Sequence, residues 1–276
     1  MHRCCAALLL AVGAAAPPLG AQGASHLFVP LLADPKQPHF FAAWLWVESP
    51  IVTGQVANVG LGEDVVFIRG RGSRWEVSIA AAVFSQFDMR TRSNDLINTD
   101  FIIGFPLAHR AGAWSTRLRF YHQSSHLGDE FILRTSPERV NLSFEAAELL
   151  VAREIGDVRA YGGGEYVVRH DPADLRPGLI HAGIEYRQTG AGRGIVRIGA
   201  LGAGRLIAAL DVKSTQERKW RVGWSARVGI EFRVAIEGAA IRRFSAQLHG
   251  YSGPAPYGQF YQENVRSVGL GLHLSL

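Results

Sequence analysis

From Lys219 to Arg233 the chain alternates without a break: Trp220, Val222, Trp224, Ala226, Val228, Ile230 and Phe232 are apolar, and the residues between them are charged, Ser or Gly. Successive side chains of a strand point to opposite faces, so this stretch predicts a strand with one apolar face and one polar face. The period returns between Arg74 and Gln86, where Trp75, Val77, Ile79, Ala81 and Val83 oppose Arg74, Glu76 and Ser78. It returns again between Leu179 and Arg187, with Ile180, Ala182, Ile184 and Tyr186 opposing His181, Gly183 and Glu185.

Water-soluble sandwiches also alternate, but three features favour a membrane wall. Many segments outrun the ~5–6 residues of soluble strands and match the ~9–11 of spanning ones. Their apolar faces carry Trp or Tyr near the ends, as girdles at the membrane interfaces require. The chain closes on Val268, Leu270, Leu272, Leu274 and Leu276, an alternating terminal strand that resembles the assembly signal of bacterial outer-membrane barrels, with Leu in place of the usual final aromatic. Past the N-terminus the longest apolar run is Phe40 to Val47, too short to span as a helix. A chain of this kind that crosses a bilayer does so as a closed barrel.

The N-terminus reads as a cleaved signal peptide over 1–23: a basic start at His2 and Arg3, an apolar run from Cys4 to Ala16, a break at Pro17-Pro18, and a small-residue cleavage site. The two cysteines, Cys4 and Cys5, leave with it, which removes disulfides, thiol nucleophiles and Cys-ligated metals from the mature chain. A net charge of +5 raises the question of nucleic acid. Export argues against that partner, and the arginines are spread along alternate strand positions rather than clustered. An irregular, Pro-containing segment, 24–38, leads into the barrel region, 39–276.

Segments near 39–48, 53–61, 64–70, 74–88, 98–108, 114–125, 139–152, 158–169, 178–188, 194–201, 204–212, 219–233, 239–251 and 264–276 read as strands. Because bacterial barrels favour even numbers and short neighbours merge, the expected fold is all-β, an antiparallel transmembrane barrel of about 12 strands, within a range of about 10 to 14. Its narrow lumen would hold Arg117, Arg119, Arg187, Arg221, Arg227 and Arg243 with Glu76, Glu145, Glu185 and Glu231, either as ion pairs filling the space or as a basic lining that favours anions.

The chemistry concentrates between Trp114 and Phe131. Trp114, Thr116, Leu118 and Phe120 form the apolar face of a strand, and the same parity carries His122 and Ser124 onto it. Polar groups facing hydrocarbon cost free energy unless they find partners or act. A Ser hydroxyl becomes nucleophilic when a base takes its proton and a third group fixes the tautomer of the base. On the returning strand Val140, Leu142 and Phe144 read as the lipid face, so Glu138 is the first choice for that third group; Asn141 is the second, with parity toward the lumen. His122-Gln123-Ser124 resembles the His-x-Ser pair of outer-membrane phospholipases and lipid A deacylases. That likeness implies an ester hydrolase working from the outside of the wall near the outer leaflet, with calcium held by Asp129 and Glu130 in the following loop. Here Ser125 follows the nucleophile, where those enzymes often carry Asn or Gly. Two competing readings are a hydrogen-bonded His and Ser at headgroup level, and a metal site of His122, His126 and Asp129.

Across its N-terminal half the chain resembles a family of outer-membrane proteins known only as a domain of unknown function. Pro30 to Pro35, Ser93 to Phe101, Tyr121 to Phe131 and Glu138 to Asn141 carry the likeness. It implies location and no reaction. Gly190 to Gly194 and Gly202 to Arg205 lack the Lys-Ser/Thr of a phosphate loop and suit turns instead. The expectation is an outer-membrane barrel of structural or narrow, anion-leaning pore type, with lipid and the barrel-assembly machinery as partners. The alternative is a lipid-face serine acyl hydrolase using Ser124, His122 and Glu138.

Overall fold

A computed structural model of the chain describes residues 26–189, 194–234 and 242–275. The expected signal peptide, Gly190 to Arg193 and Leu276 lie outside them. The strands are β1 (Phe40–Glu48), β2 (Thr53–Arg69), β3 (Trp75–Asp88), β4 (Asp95–Ala111), β5 (Trp114–Leu127), β6 (Leu142–Ile155), β7 (Val158–Asp171), β8 (Gly178–Arg187), β9 (Val196–Ile198), β10 (Gly202–Thr215), β11 (Arg221–Val234), β12 (Arg242–Pro254) and β13 (Asn264–Ser275), with one α-helix among the described residues, α1 (Asp129–Thr135). All neighbours pair antiparallel; β1 meets β13 and β10 bridges β8 and β11, so twelve strands close into a ring. Two expected short strands are one: β2 runs through, with a bulge between Val66 and Ile68. The expected strand at 194–201 yields only β9, which pairs with β10 alone and stands outside the ring.

The outer face is the apolar one. All six tryptophans, Trp44, Trp46, Trp75, Trp114, Trp220 and Trp224, are exposed, together with Phe101, Ile103, Phe105, Leu149, Val151 and Val168. Val268, Leu270, Leu272 and Leu274 on β13 join them. An exposed apolar wall closed on itself, with every spanning strand paired on both sides, is what hydrocarbon requires. Phe232 departs from the expectation: it is buried, stacked at 6.5 Å on Phe244, where the turn at 199–201 packs against β11.

The lumen is filled. Glu148 accepts from Arg117 Nε at 2.9 Å and from Arg119 Nη2 at 2.8 Å, Arg159 pairs with Glu185 at 3.2 Å, and Arg187 with Glu231 at 2.8 Å. Arg221 departs from its expected inward position; it opens β11 at the barrel end and is exposed.

Sequence periodicity gave no place to the stretch before β1. Residues 26–39 run inside the barrel as a re-entrant plug. They enter at the end of the short turns 112–113 and 156–157, where Leu27 N–H donates to Glu76 Oε1 (2.7 Å) and Leu27 O accepts from Arg110 Nε (2.8 Å). Val29 O accepts from Arg159 Nη1 (2.7 Å), and Leu32 N–H donates to Glu185 Oε1 (2.6 Å). A turn closed by Gln37 N–H on Asp34 O (3.2 Å) forms the tip, where Lys213 Nζ holds Asp34 (2.7 Å) and Lys36 pairs with Asp100. Buried backbone outside a ladder needs side-chain partners. The charged wall supplies them, and Pro30, Pro35 and Pro38 reduce the number of donors to be met.

At the opposite end the connection 255–263 folds into the mouth. Gly258 N–H donates to Asp100 Oδ2 (2.9 Å), and Gln259 Nε2 donates to Ser125 O and Val140 O (both 2.8 Å). A side chain at position 258 would meet Ser125 Cβ at 2.7 Å, so this approach requires glycine. Between plug and mouth the lumen is lined by Phe41, Leu45, Val56, Phe84, Ile97 and Ile102. Each contributes roughly 1.5–3 kcal/mol by burial.

Candidate lipid-face site

β5 keeps strict alternation. Ser115, Arg117, Arg119, Tyr121, Gln123 and Ser125 are buried toward the lumen, while Trp114 and Phe120 stand exposed outside. Its pairing with β4 and with β6 carries no register shift, so His122 and Ser124 share the outer face. Ser124 lies three positions from the end of β5, opposite Phe101 on β4 and Ser143 on β6, near the rim that carries α1.

Directly opposite His122 on β6 stands Glu145, and His122 Nδ1 donates to Glu145 Oε1 at 3.1 Å. Glu138, the carboxylate expected there, lies in the connection between α1 and β6, exposed and without a hydrogen bond among the described residues. Asn141, the second choice, bonds Asp171 instead. The expectation inverted the phase of β6 because it sent Leu142 and Phe144 to lipid. Both face the lumen, where the Phe144 ring meets Tyr121 edge-on at 6.0 Å. The buried Glu148, held by two arginines, fixes the even positions of β6 inward, so Glu145 points outward and not into the lumen as expected. The sequence did hold the clue: Glu148 beside Leu149 and Val151 sets the opposite parity from Leu142 and Phe144.

Further along the rim, Arg169 on β7 places Nε 4.0 Å from Glu145 Oε2, and His126 packs edge-on against Phe101 at 5.8 Å. No hydrogen bond joins Ser124 to His122 among the described residues. Asp129 and Glu130 occupy the first turn of α1, exposed, where carboxylates complement the helix N-terminus. No group of three His, Cys, Asp or Glu that could hold a metal occurs among the described residues, so His122, His126 and Asp129 do not gather. The arrangement therefore offers a serine, a histidine two residues away on the same face, and a carboxylate fixing the Nδ1–H tautomer, which leaves Nε2 free to take a proton.

A closed twelve-strand wall with apolar residues outside and charges inside defines the outer-membrane β-barrel class. The chain belongs to the family described as "Protein of unknown function (DUF1207)", whose model matches residues 3–276. No curated protein sequence matches it. Among solved structures it is similar to outer membrane phospholipase A from Escherichia coli, at 14% identity and a TM-score of 0.60, over 93% of this chain and 98% of that one. The Salmonella typhi outer membrane phospholipase, a dimer with bound calcium, aligns at 14% identity and a TM-score of 0.58 over the same shares. At these identities the likeness is one of fold.

Proposed function

We propose that this chain is a lipid-face serine acyl hydrolase of the outer membrane. One observation carries the reading: Glu145 and His122 are hydrogen-bonded on the hydrocarbon side of the wall, one alternate position from Ser124. The fold shared with phospholipases supports it. A lipid ester in the bilayer would reach this face without entering the lumen. Ser124 Oγ attacks the ester carbonyl carbon while His122 Nε2 takes the hydroxyl proton. The tetrahedral adduct collapses, the ester C–O bond breaks, and the departing alcohol takes the proton from His122, leaving acyl-Ser124. Water then attacks the acyl carbon with its proton passing to His122; Ser124 Oγ leaves with that proton and a fatty acid is released. Glu145 supports the imidazolium in both halves, and Arg169 offers a cation beside the pair that could meet a lipid phosphate.

Calcium fits poorly. The cation takes 6–8 oxygen ligands, whereas Asp129 and Glu130 bring two exposed carboxylates with no third gathered among the described residues. No step is assigned to it. We also infer export through the signal peptide at 1–23 and insertion by the barrel-assembly machinery; the apolar run and the alternating terminal strand support both. A second reading, a barrel with a structural role, is favoured by the missing Ser124–His122 hydrogen bond, although such bonds often tighten only with substrate.

The test is reaction of the detergent-folded protein with a serine-directed fluorophosphonate, followed by peptide mapping. Labelling at Ser124 that disappears in His122→Ala is expected. No labelling of the native protein, with or without added calcium, would return the chain to the structural reading.

A further inference from the structure

On the other side of the wall the lumen contains a cation without a counter-ion. Arg227 on β11 is 7% exposed, its Nη1 has no hydrogen-bond partner, and no carboxylate lies within ion-pair distance among the described residues. The acids that feel its charge, Asp34 and Asp211, are already taken: Asp34 by Lys213 at 2.7 Å, Asp211 by His181 and Tyr161, both at 2.5 Å. Its neighbours His39, His273 and His249 form a chain through ring nitrogens at 2.8 Å and supply no negative charge. A buried charge left unpaired costs several kcal/mol, so this one is poised for a partner.

Arg227 lines a cavity of about 80 Å³ with His249 and Ser225, floored by Pro35 of the plug and opening between the connections 49–52 and 255–263. Leu45, Val47, Val56, Ile97 and Phe260 give it an apolar part, beside the polar Asn58, Gln86, Glu263 and Asn264. A second cavity of about 190 Å³ shares Pro35, Ser225, Tyr251 and Tyr257 with it; Ile102, Phe144 and Val167 there give an apolar tail a surface to extend along, beside the charged Lys36, Arg119 and Glu165. We propose that this cavity is a binding site for a monoanionic carboxylate bearing an apolar tail. A guanidinium fork matches a carboxylate with two parallel hydrogen bonds. One arginine balances one charge, which disfavours a phosphate dianion, and the apolar part of the wall favours hydrocarbon over a sugar or an inorganic ion. The proposal stands apart from the lipid-face chemistry, since the two sites occupy opposite faces of the wall.

The experiment is calorimetric titration of the detergent-folded full chain with benzoate and with benzamide, its uncharged counterpart. Benzoate is expected to bind about tenfold or more tightly than benzamide, the difference of one charged hydrogen-bonded contact. Arg227→Gln is expected to abolish the preference and Arg227→Lys to keep part of it. Absence of benzoate binding, equal affinities for the two compounds, or a preference that survives Arg227→Gln overturns the proposal. Should Arg227→Gln fail to fold, the comparison of the two compounds on the native chain decides alone.

Discussion

Replacing Glu145 separates the two carboxylates that compete for the role of orienting His122. The His122–Glu145 pair is about two-fifths exposed on both sides. As a ground-state ion pair it therefore contributes under ~1 kcal/mol, and Glu145→Gln should leave folding nearly untouched. In the transition state the imidazole becomes a cation at 3.1 Å from that carboxylate. A charge-assisted hydrogen bond is worth ~1.5–3 kcal/mol, and ~1.4 kcal/mol is tenfold in rate. Glu145→Gln keeps an acceptor oxygen for Nδ1–H and loses only the charge, a difference of ~1–1.5 kcal/mol between charged and neutral bonds, so hydrolysis should fall by roughly 5- to 15-fold. Glu145→Ala also frees the tautomer and should fall further, toward the ~10⁴-fold loss known for triads deprived of orientation. Glu138→Gln, exposed in its connection, should hydrolyse like the native chain. The assay is p-nitrophenyl ester turnover in mixed micelles, with fluorophosphonate labelling rate as a second readout. Activity lost in Glu138→Gln and kept in Glu145→Ala would refute the reasoning, because it would mean that β6 presents its other face to lipid.

The remaining predictions concern the lumen. Glu148→Gln leaves two buried guanidinium groups without their carboxylate and should lower stability by ~3–5 kcal/mol, read as the urea midpoint of the detergent-folded barrel. Removing residues 26–37 takes the plug and its tip away and should raise single-channel conductance in planar bilayers above that of the native chain. Equal conductance would show that the connection 255–263 alone closes the lumen.

The wall was legible in the sequence and its contents were not. Alternation at Lys219 to Arg233 and at Trp114 to Tyr121 located β11 and β5, because one face of each meets lipid along the strand. The plug escaped because it has no period: its backbone is satisfied one group at a time by Glu76, Arg110, Arg159 and Glu185, partners that pattern reading cannot connect. β6 was misread for a related reason. The rule of polar inside and apolar outside fails near the mouth, where Phe144 packs against Tyr121, Leu142 is buried and the lumen is itself hydrophobic. The His-x-Ser pair was visible from β5 alone, whereas its carboxylate partner depended on the phase of a neighbouring strand.

That dependence ties the outer face to the inner one. Ser125, the neighbour of the proposed nucleophile, donates its hydroxyl to Asp100, and Asp100 also receives the plug's Lys36 and the mouth's Gly258 N–H. Two positions away, Gln123 is buried in the lumen, and Arg119 below it is fastened to Glu148 on β6, the residue that sets the phase of Glu145. The geometry of His122, Ser124 and Glu145 is thus held by groups none of which reaches the lipid. A site facing fluid hydrocarbon has no neighbours of its own to lock its rotamers, and catalytic placement tolerates little error. Filling the lumen with ion pairs, a re-entrant plug and a folded-in loop supplies that rigidity from behind. In this barrel the packed interior accordingly serves as the supporting layer of the wall, and an open channel would weaken the site it backs.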